Sequence, residues 1–153
     1  MMPASSHPTT IRWGVLGTAR IALNQVIPAI QQVASAELIA IASRDADKAR
    51  ATAARFSIPK AFGSYEALLE APDIDAVYIP LPNALHAPWT IRAAQAGKHV
   101  LCEKPLALNA SQAGEMIAAC REQGVQLAEA FMYRHHPQIA QALERVRTGE
   151  IGT

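Results

Sequence analysis

A short turn near the start of the chain has the residue types and spacing to hold phosphate groups. The stretch IRWGVLGTARIA, residues 11–22, places Gly17, Ala19 and Ala22 where a phosphate-binding turn has small residues. Only the first position needs glycine, because the backbone turns sharply there from strand into helix. The donors would be the backbone N–H groups of Thr18, Ala19, Arg20 and Ile21 at a helix N-terminus. The spacing favours a cradle for a dinucleotide pyrophosphate, although by itself it also fits a turn that binds nothing.

The end of the next predicted strand indicates which dinucleotide the turn would hold. An acidic residue at this place would bind the ribose hydroxyls of NAD. Ser43 and Arg44 stand there instead, and Lys48 lies one turn into the following helix. A hydroxyl and two cations suit the 2′-phosphate of NADP, since Arg binds phosphate in a forked geometry. The alternative is that both cations are solvated and Asp45 only caps the helix. We therefore predict NADP, with NAD as the second choice.

Short apolar runs alternate with amphipathic ones after residue 10. Continuous apolar runs indicate strands covered on both faces, and strands separated by helices must pair in parallel. The predicted strands are 11–16, 37–43, 60–62, 76–81, 99–103 and 125–131, and the predicted helices are about 20–33, 46–56, 64–70, 83–96, 110–123 and 136–148. Pro28 must kink the first helix or cost it a hydrogen bond, and Asn109 with Gln112 resembles a capping box. The pattern predicts an α/β fold with a doubly wound parallel sheet of the Rossmann type.

The bulk composition argues against several classes of partner. The 153 residues are 50% hydrophobic and 18% charged, with a formal net charge of +1, so we expect neither nucleic acid nor an acidic membrane. No apolar run approaches the ~18 residues of a bilayer span. The leader 1–10, which we predict to be disordered, lacks the pattern of a secretion signal. Both cysteines lie in apolar stretches, which suggests reduced thiols in a cytoplasmic protein. We expect no metal, because the spacing of His99, His135 and His136 is not that of a metal site.

Three further stretches carry a resemblance to a known family. They read IPLPNALHAPWTIRAAQAGKHVLCEKPLALN, AEAFMYRHHPQ and GEIGT. With GVLGTARIA and SRDADKA they resemble the glucose–fructose oxidoreductase family, also called the inositol dehydrogenase or rhizopine catabolism family (Gfo/Idh/MocA). Within that family the chain is similar in particular to NADP-dependent D-xylose dehydrogenases and dihydrodiol dehydrogenases. The similarity covers about residues 11–153, and its most specific signature is the triplet Glu103, Lys104 and Pro105 at the end of a predicted strand.

The resemblance implies a role for each residue that matches a family motif. Lys104 matches the catalytic lysine beside the cofactor, which hydrogen-bonds the reacting hydroxyl and helps to move its proton. Glu103 matches an acid near the nicotinamide ribose, Pro105 a proline often preceded by a cis peptide bond, and Arg134 an arginine near the cofactor. The loop under the ribose and nicotinamide is matched by Leu81, Pro82, Asn83 and His86. A histidine in the first turn of a helix is more often solvated or packed than catalytic, so we expect His86 to contact the cofactor at most.

The predicted topology supports this placement, because ligands of open α/β sheets bind beyond the carboxyl ends of the strands. Ser43, Asn83, Lys104 and Tyr133 all fall just after predicted strands. We expect an NADP-dependent oxidoreductase that transfers a hydride between a sugar or cyclic diol and nicotinamide, with Lys104 polarising the substrate. One alternative is a dinucleotide-binding module or sensor without catalysis. Another is a relative that acts on an imine, biliverdin or an amino-acid semialdehyde.

Chains of this family are longer than 153 residues. The resemblance implies that residues 11–134 form the dinucleotide-binding domain, and that residues 135–153 form a crossover helix and the start of a C-terminal domain missing here. The missing α/β domain would supply most of the substrate pocket, the oligomer interface and the partner acid or base of the lysine. We therefore expect cofactor binding without turnover from this fragment, and a homo-oligomer from the full-length form.

Overall fold

The strands of the chain form one parallel sheet. The computed structural model describes residues 10–151, so nearly all of the predicted leader lies outside the described residues. The strands are β1 Ile11–Leu16, β2 Ala36–Ala42, β3 Lys60–Phe62, β4 Ala76–Ile79, β5 His99–Cys102 and β6 Leu127–Glu129. Their order is β3-β2-β1-β4-β5-β6, and every neighbouring pair is parallel. This is the doubly wound sheet that the sequence predicts, and its order reverses between β1 and β4.

Helices connect the strands. A π-helical turn, Ala22–Val26, leads into α1 Ile27–Ile30, and the later helices are α2 Ala46–Phe56, α3 Tyr65–Leu69, α4 His86–Gln95, α5 Ala110–Glu122 and α6 Pro137–Arg147. Short 3-10 turns, Asn83–Leu85 and Met132–His135, precede α4 and α6. Polar side chains set the starts of α2, α3 and α5. The side chains of Asp45, Ser64 and Asn109 each accept a hydrogen bond from the backbone N–H of the residue three positions later.

Pro28 changes the first helix in the way that its chemistry requires. Proline has no N–H to donate, and its ring crowds the carbonyl four residues earlier. The chain widens locally, so that the N–H of Ile27 donates to the carbonyl of Ala22 across a π-helical turn. The helix then ends at Ile30 rather than at Val33, the predicted end.

Two strands are at least two residues shorter than the apolar runs suggested. The fourth predicted strand, 76–81, ends at Ile79 because Pro80 has no N–H to continue the ladder. The last predicted strand, 125–131, forms only Leu127–Glu129 because it pairs with β5 alone at the edge of the sheet. Both differences leave irregular backbone just past the carboxyl ends of the strands, which is where the candidate site lies.

Side chains along the central strands alternate between two cores, one on each face of the sheet. Leu16 and Val77 pack in a core with residues of α3, α4 and α5. Val15 and Tyr78 pack in a second core with residues of α1 and α2. Burial on both faces explains why these strands are continuously apolar in the sequence.

Arg12 and Asp75 join β1 to the residue before β4 at the amino ends of these strands. Arg12 donates from Nε and Nη2 to the two carboxylate oxygens of Asp75, at 2.9 and 2.7 Å. The backbone N–H of Arg12 also donates to the Asp75 carboxylate, and the backbone N–H of Asp75 donates to the Arg12 carbonyl, each at 2.9 Å. Hydrogen bonds from Arg12 hold the pKa of Asp75 below its ordinary value. The pair therefore fixes the register of the two strands between which the site opens.

Replacing Asp75 with Asn should lower the free energy of unfolding by about 1–2 kcal/mol at neutral pH, because a partly exposed charge pair is lost. The pKa of Asp75 is lower in the folded protein, so its contribution is present above the unfolded pKa and is lost as the pH falls through the folded pKa. Urea unfolding at neutral and acidic pH measures the difference between wild type and variant. Asp47→Asn is the control, since Asp47 pairs with Arg50 on the exposed face of α2. A difference that did not shrink in acid would contradict the assignment.

Candidate functional site

The carboxyl ends of the central strands stand at one edge of the sheet. Leu16 lies opposite Ala42, and Ile79 lies opposite Cys102, in the parallel register of their strands. The residues that directly follow these four positions are Gly17, Ser43, Pro80 and Glu103. Because the strand order reverses between β1 and β4, the connections there leave towards opposite faces and open a crevice.

Gly17 closes the first strand in a conformation that other residues rarely adopt. Its φ is +107°, and a Cβ atom at this position would lie 3.0 Å from Cδ2 of Leu81. Its N–H donates to the carbonyl of Ala42 at 2.8 Å, which ties the turn to β2. Gly17 is therefore required for both its backbone conformation and its close approach to the loop after β4.

The turn after Gly17 presents backbone donors that the protein itself does not use. Within residues 10–151, no hydrogen bond to protein is donated by the backbone N–H groups of Thr18, Ala19, Arg20 and Ile21. Free N–H groups at the start of a helix form a ready site for an anion, because the helix dipole adds to their own attraction. Thr18, Ala19 and Ile21 are half-buried and Arg20 is exposed. These four donors are the ones that the sequence predicts.

The tip of β2 carries the residues predicted to select the cofactor. Ser43 is buried and its hydroxyl accepts a bond from the N–H of Asp45 at 3.2 Å. Arg44 and Lys48 are exposed, and neither forms a salt bridge within the described part of the chain. Asp45 accepts the N–H of Lys48 at 3.1 Å and so caps α2, as the alternative interpretation held. The cap leaves both cations available for an anionic ligand.

Lys104 follows β5 on the far side of the crevice. Its side chain is exposed and has no salt-bridge partner within residues 10–151. The peptide bond between Lys104 and Pro105 is cis, as the resemblance implies. The lysine thus stands at the same edge of the sheet as the free amides and the two cations of β2.

Glu103 is buried beside Lys104 and is bonded to the protein through both carboxylate oxygens. The hydroxyl of Tyr78 donates to Oε1 at 2.7 Å, and the backbone N–H of Lys104 donates to Oε2 at 3.2 Å. Burial and the neighbouring carboxylate raise the pKa of Tyr78 above its ordinary value, so its hydroxyl keeps the proton that it donates. These two bonds therefore link Glu103 and the backbone of Lys104 to Tyr78 on β4. Its predicted contact with the nicotinamide ribose stays a prediction.

His86 occupies a different place from the one that the resemblance implied. Its side chain is 0% exposed, so the ring cannot touch a bound cofactor without moving. Nδ1 lies 2.9 Å from the carbonyl oxygen of Pro105, and Nε2 lies 2.8 Å from the carbonyl oxygen of Leu81. The expectation of a cofactor contact is corrected: His86 is a packed residue that spans two loops of the site.

The remaining predicted residues lie at the same edge, and among the described residues their side chains form no bonds that test their roles. Leu81 is buried against Gly17, whereas Pro82 and Asn83 are exposed at the start of the 3-10 turn that leads into α4. Arg134 is exposed in the 3-10 turn after β6, two strands away from β4 in the sheet. Their contacts with a cofactor stay predictions.

Two polar contacts at the site were not predicted from the sequence. One is the bond from Tyr78 to Glu103, and the other is the bond from the N–H of Leu106 to Oε1 of Glu129 at 2.8 Å. The second contact fastens the loop after Lys104 to β6. A tyrosine inside a continuous apolar strand was the one available signal, since a buried hydroxyl needs a partner.

Other chemistry is limited within the described residues. Between residues 10 and 151, no three His, Cys, Asp or Glu side chains are grouped so that they could hold a metal ion. Cys102 and Cys120 are free and buried, and burial raises the pKa of Cys102 to about 12. None of the helices in the same range combines the length and the apolar content needed to cross a bilayer.

Comparison with known proteins gives a family match and longer relatives. A family model described as an oxidoreductase family with an NAD-binding Rossmann fold, GFO_IDH_MocA, matches residues 11–131. D-xylose 1-dehydrogenase (NADP(+)) 2 of Haloferax volcanii is 52% identical over 140 residues, which are 92% of this chain and 42% of the relative. The dTDP-3,4-didehydro-2,6-dideoxy-alpha-D-glucose 3-reductase of Actinomadura kijaniata is 47% identical over 150 residues, which are 98% of this chain and 44% of the relative.

A solved structure shows the same fold. KijD10, a 3-ketoreductase from Actinomadura kijaniata in complex with TDP-benzene and NADP, superposes with a TM-score of 0.87 and 47% identity. The match covers 94% of this chain and 45% of that one. The chain therefore spans less than half the length of the relatives that it matches.

Tyr78→Phe should lower the free energy of unfolding by about 1–3 kcal/mol, because a buried carboxylate oxygen loses its donor. Tyr65→Phe is a matched control, since Tyr65 is also buried but its hydroxyl bonds to none of the described residues. Urea unfolding followed by tryptophan fluorescence measures both variants. Equal destabilisation of the two would mean that the bond to Glu103 contributes nothing.

Proposed function

Because the chain belongs to the oxidoreductase family with an NAD-binding Rossmann fold, we propose that it is the cofactor-binding part of an NADP-dependent oxidoreductase. The observation that carries this proposal is the row of backbone donors at residues 18–21, which lies one strand from the cations Arg44 and Lys48. Within residues 10–151 the donors form no hydrogen bond to protein and the cations form no salt bridge. The amides suit a pyrophosphate, and the cations suit a further phosphate one strand away. A dinucleotide with a 2′-phosphate has both groups.

The charges at the tip of β2 favour NADP over NAD. The acid nearest to this tip, Asp45, is used to cap α2. Arg44 can instead bind a phosphate with two parallel N–H bonds, and Lys48 adds a second charge from the first turn of α2. Hydrogen bonds to charged groups are worth about 1.5–3 kcal/mol each, which is enough to set a preference between the two cofactors.

We assign the proton-handling role to Lys104. When bound, NADP would supply or accept the hydride at its nicotinamide. Lys104 stands exposed at the end of β5, where its amine can hydrogen-bond the reacting hydroxyl or carbonyl and hold its proton. Glu103 and Tyr78 would keep the backbone of Lys104 in place, because the lysine N–H is bonded to the buried carboxylate.

The proposed substrate is a sugar or a cyclic diol. The relatives reported above carry names that refer to D-xylose and to a dTDP-linked deoxysugar, which supports this class. Each relative is more than twice as long as the matched part, so we propose that substrate selection and turnover need residues beyond these 153. We further propose a cytoplasmic protein whose full-length form is a homo-oligomer. The exposed apolar side chains of Leu143 and Val146 on α6 support the latter, since such a face favours association.

Arg44→Ala should weaken NADP binding at least tenfold while leaving NAD binding nearly unchanged, because only NADP loses a charge-assisted bond. Isothermal titration of the purified chain with each cofactor measures this ratio. Arg50→Ala is the control, since Arg50 pairs with Asp47 on the same helix. If both affinities fell equally, the 2′-phosphate site would be misplaced. If wild type bound neither cofactor, the proposed function would fail.

A further inference from the structure

His86 is buried between two loops that both border the crevice. It begins α4, and its ring is completely enclosed. One nitrogen faces the carbonyl oxygen of Leu81 in the loop after β4, and the other faces the carbonyl oxygen of Pro105 in the loop after β5, at 2.8 and 2.9 Å. The two loops carry Asn83 and Lys104, respectively. The ring is therefore the direct link between them.

The chemistry of the two partners determines what the ring must donate. Carbonyl oxygens only accept hydrogen bonds, and a neutral imidazole carries just one N–H. An N–H of the ring therefore donates to one of the two carbonyls, and the enclosed ring packs between the two loops that carry them.

We propose that His86 is a positioning residue that holds Lys104 in register with the cofactor crevice, because its ring bridges the loops after β4 and β5. The geometry gives a continuous path of contacts. The side chain of Leu81 lies against Gly17, the carbonyl of Leu81 contacts one ring nitrogen of His86, and the other ring nitrogen contacts the carbonyl of Pro105, the residue after Lys104. A shift of the phosphate-binding turn would thus be transmitted to the lysine. This inference rests on the proposed function.

Within the described residues, the polar contacts of the His86 ring are with the two carbonyls and not with the charged groups around α4. On α5, which packs against α4, the charged residues Glu115, Arg121 and Glu122 are exposed. On β4, β5 and the loop that follows β5, the titratable groups at this end are Tyr78, Cys102, Glu103 and Lys104. Tyr78 and Glu103 are bonded to each other, burial raises the pKa of Cys102 to about 12 and keeps its thiol neutral, and Lys104 is exposed. Among the described residues, none of these side chains bonds the ring.

The positioning role is tested by binding of NADP and of adenosine 2′,5′-bisphosphate, which lacks the nicotinamide half. His86→Gln should bind NADP about tenfold more weakly, because the Lys104 loop is released, and should bind the bisphosphate as wild type does. His99→Gln, at an exposed site at the opposite end of β5, is the control and should change neither affinity. Equal losses for both ligands, or no loss for NADP, would overturn the positioning role. Failure of wild type to bind either ligand would instead count against the proposed function.

His86→Gln must remain folded for this comparison, which thermal unfolding checks. If it does not fold, His86→Asn in the same assays replaces it, since the shorter amide keeps polarity but cannot span both carbonyls. A variant of either kind that binds NADP as tightly as wild type contradicts the proposal.

Discussion

The close approach of Gly17 to Leu81 is the constraint on which the site depends. The backbone of Gly17 has a φ of +107°. A Cβ atom added at this position would lie 3.0 Å from Cδ2 of Leu81 in the loop after β4. This contact lies where the strand order reverses, so the connections on either side diverge and leave the helix N-terminus facing open space. The N–H of Gly17 forms the last hydrogen bond between this segment and β2. The amides of residues 18–21 lie beyond this pairing, so among the described residues they have no backbone partner.

The polar residues of the site divide into those used by the protein and those left free. Asp45 caps a helix, Glu103 binds Tyr78 and the Lys104 backbone, and His86 spans two carbonyls. Asp45 and Glu103 are thereby engaged, whereas Arg44 and Lys104 have no salt-bridge partner within residues 10–151. An edge with bonded acids and free cations attracts an anionic ligand, and it does so without a large net charge on the whole chain.

Local sequence patterns were sufficient for the fold and for the turn directly after β1, whereas the ends of β4 and β6 were placed two residues too late. Continuous apolar runs predict buried parallel strands, and a glycine before small residues predicts the turn at Gly17. The roles of His86 and Glu103 were not accessible in this way, because their partners lie 19 and 25 residues away and become neighbours only through the sheet. Pro28 predicts a disturbed helix, but the sequence pattern did not specify that the disturbance takes the form of a π-helical turn.

The central claim is that the backbone amides at residues 18–21 receive the phosphates of a dinucleotide. An amide ¹⁵N–¹H titration with NADP tests it most directly, with Gly17→Ala as the variant in which the turn is strained and Gly114→Ala, in the open face of α5, as its control. The account predicts saturable shifts of these four amides in wild type and in Gly114→Ala, and none in Gly17→Ala. Shifts confined to other residues, or unchanged shifts in Gly17→Ala, would contradict it.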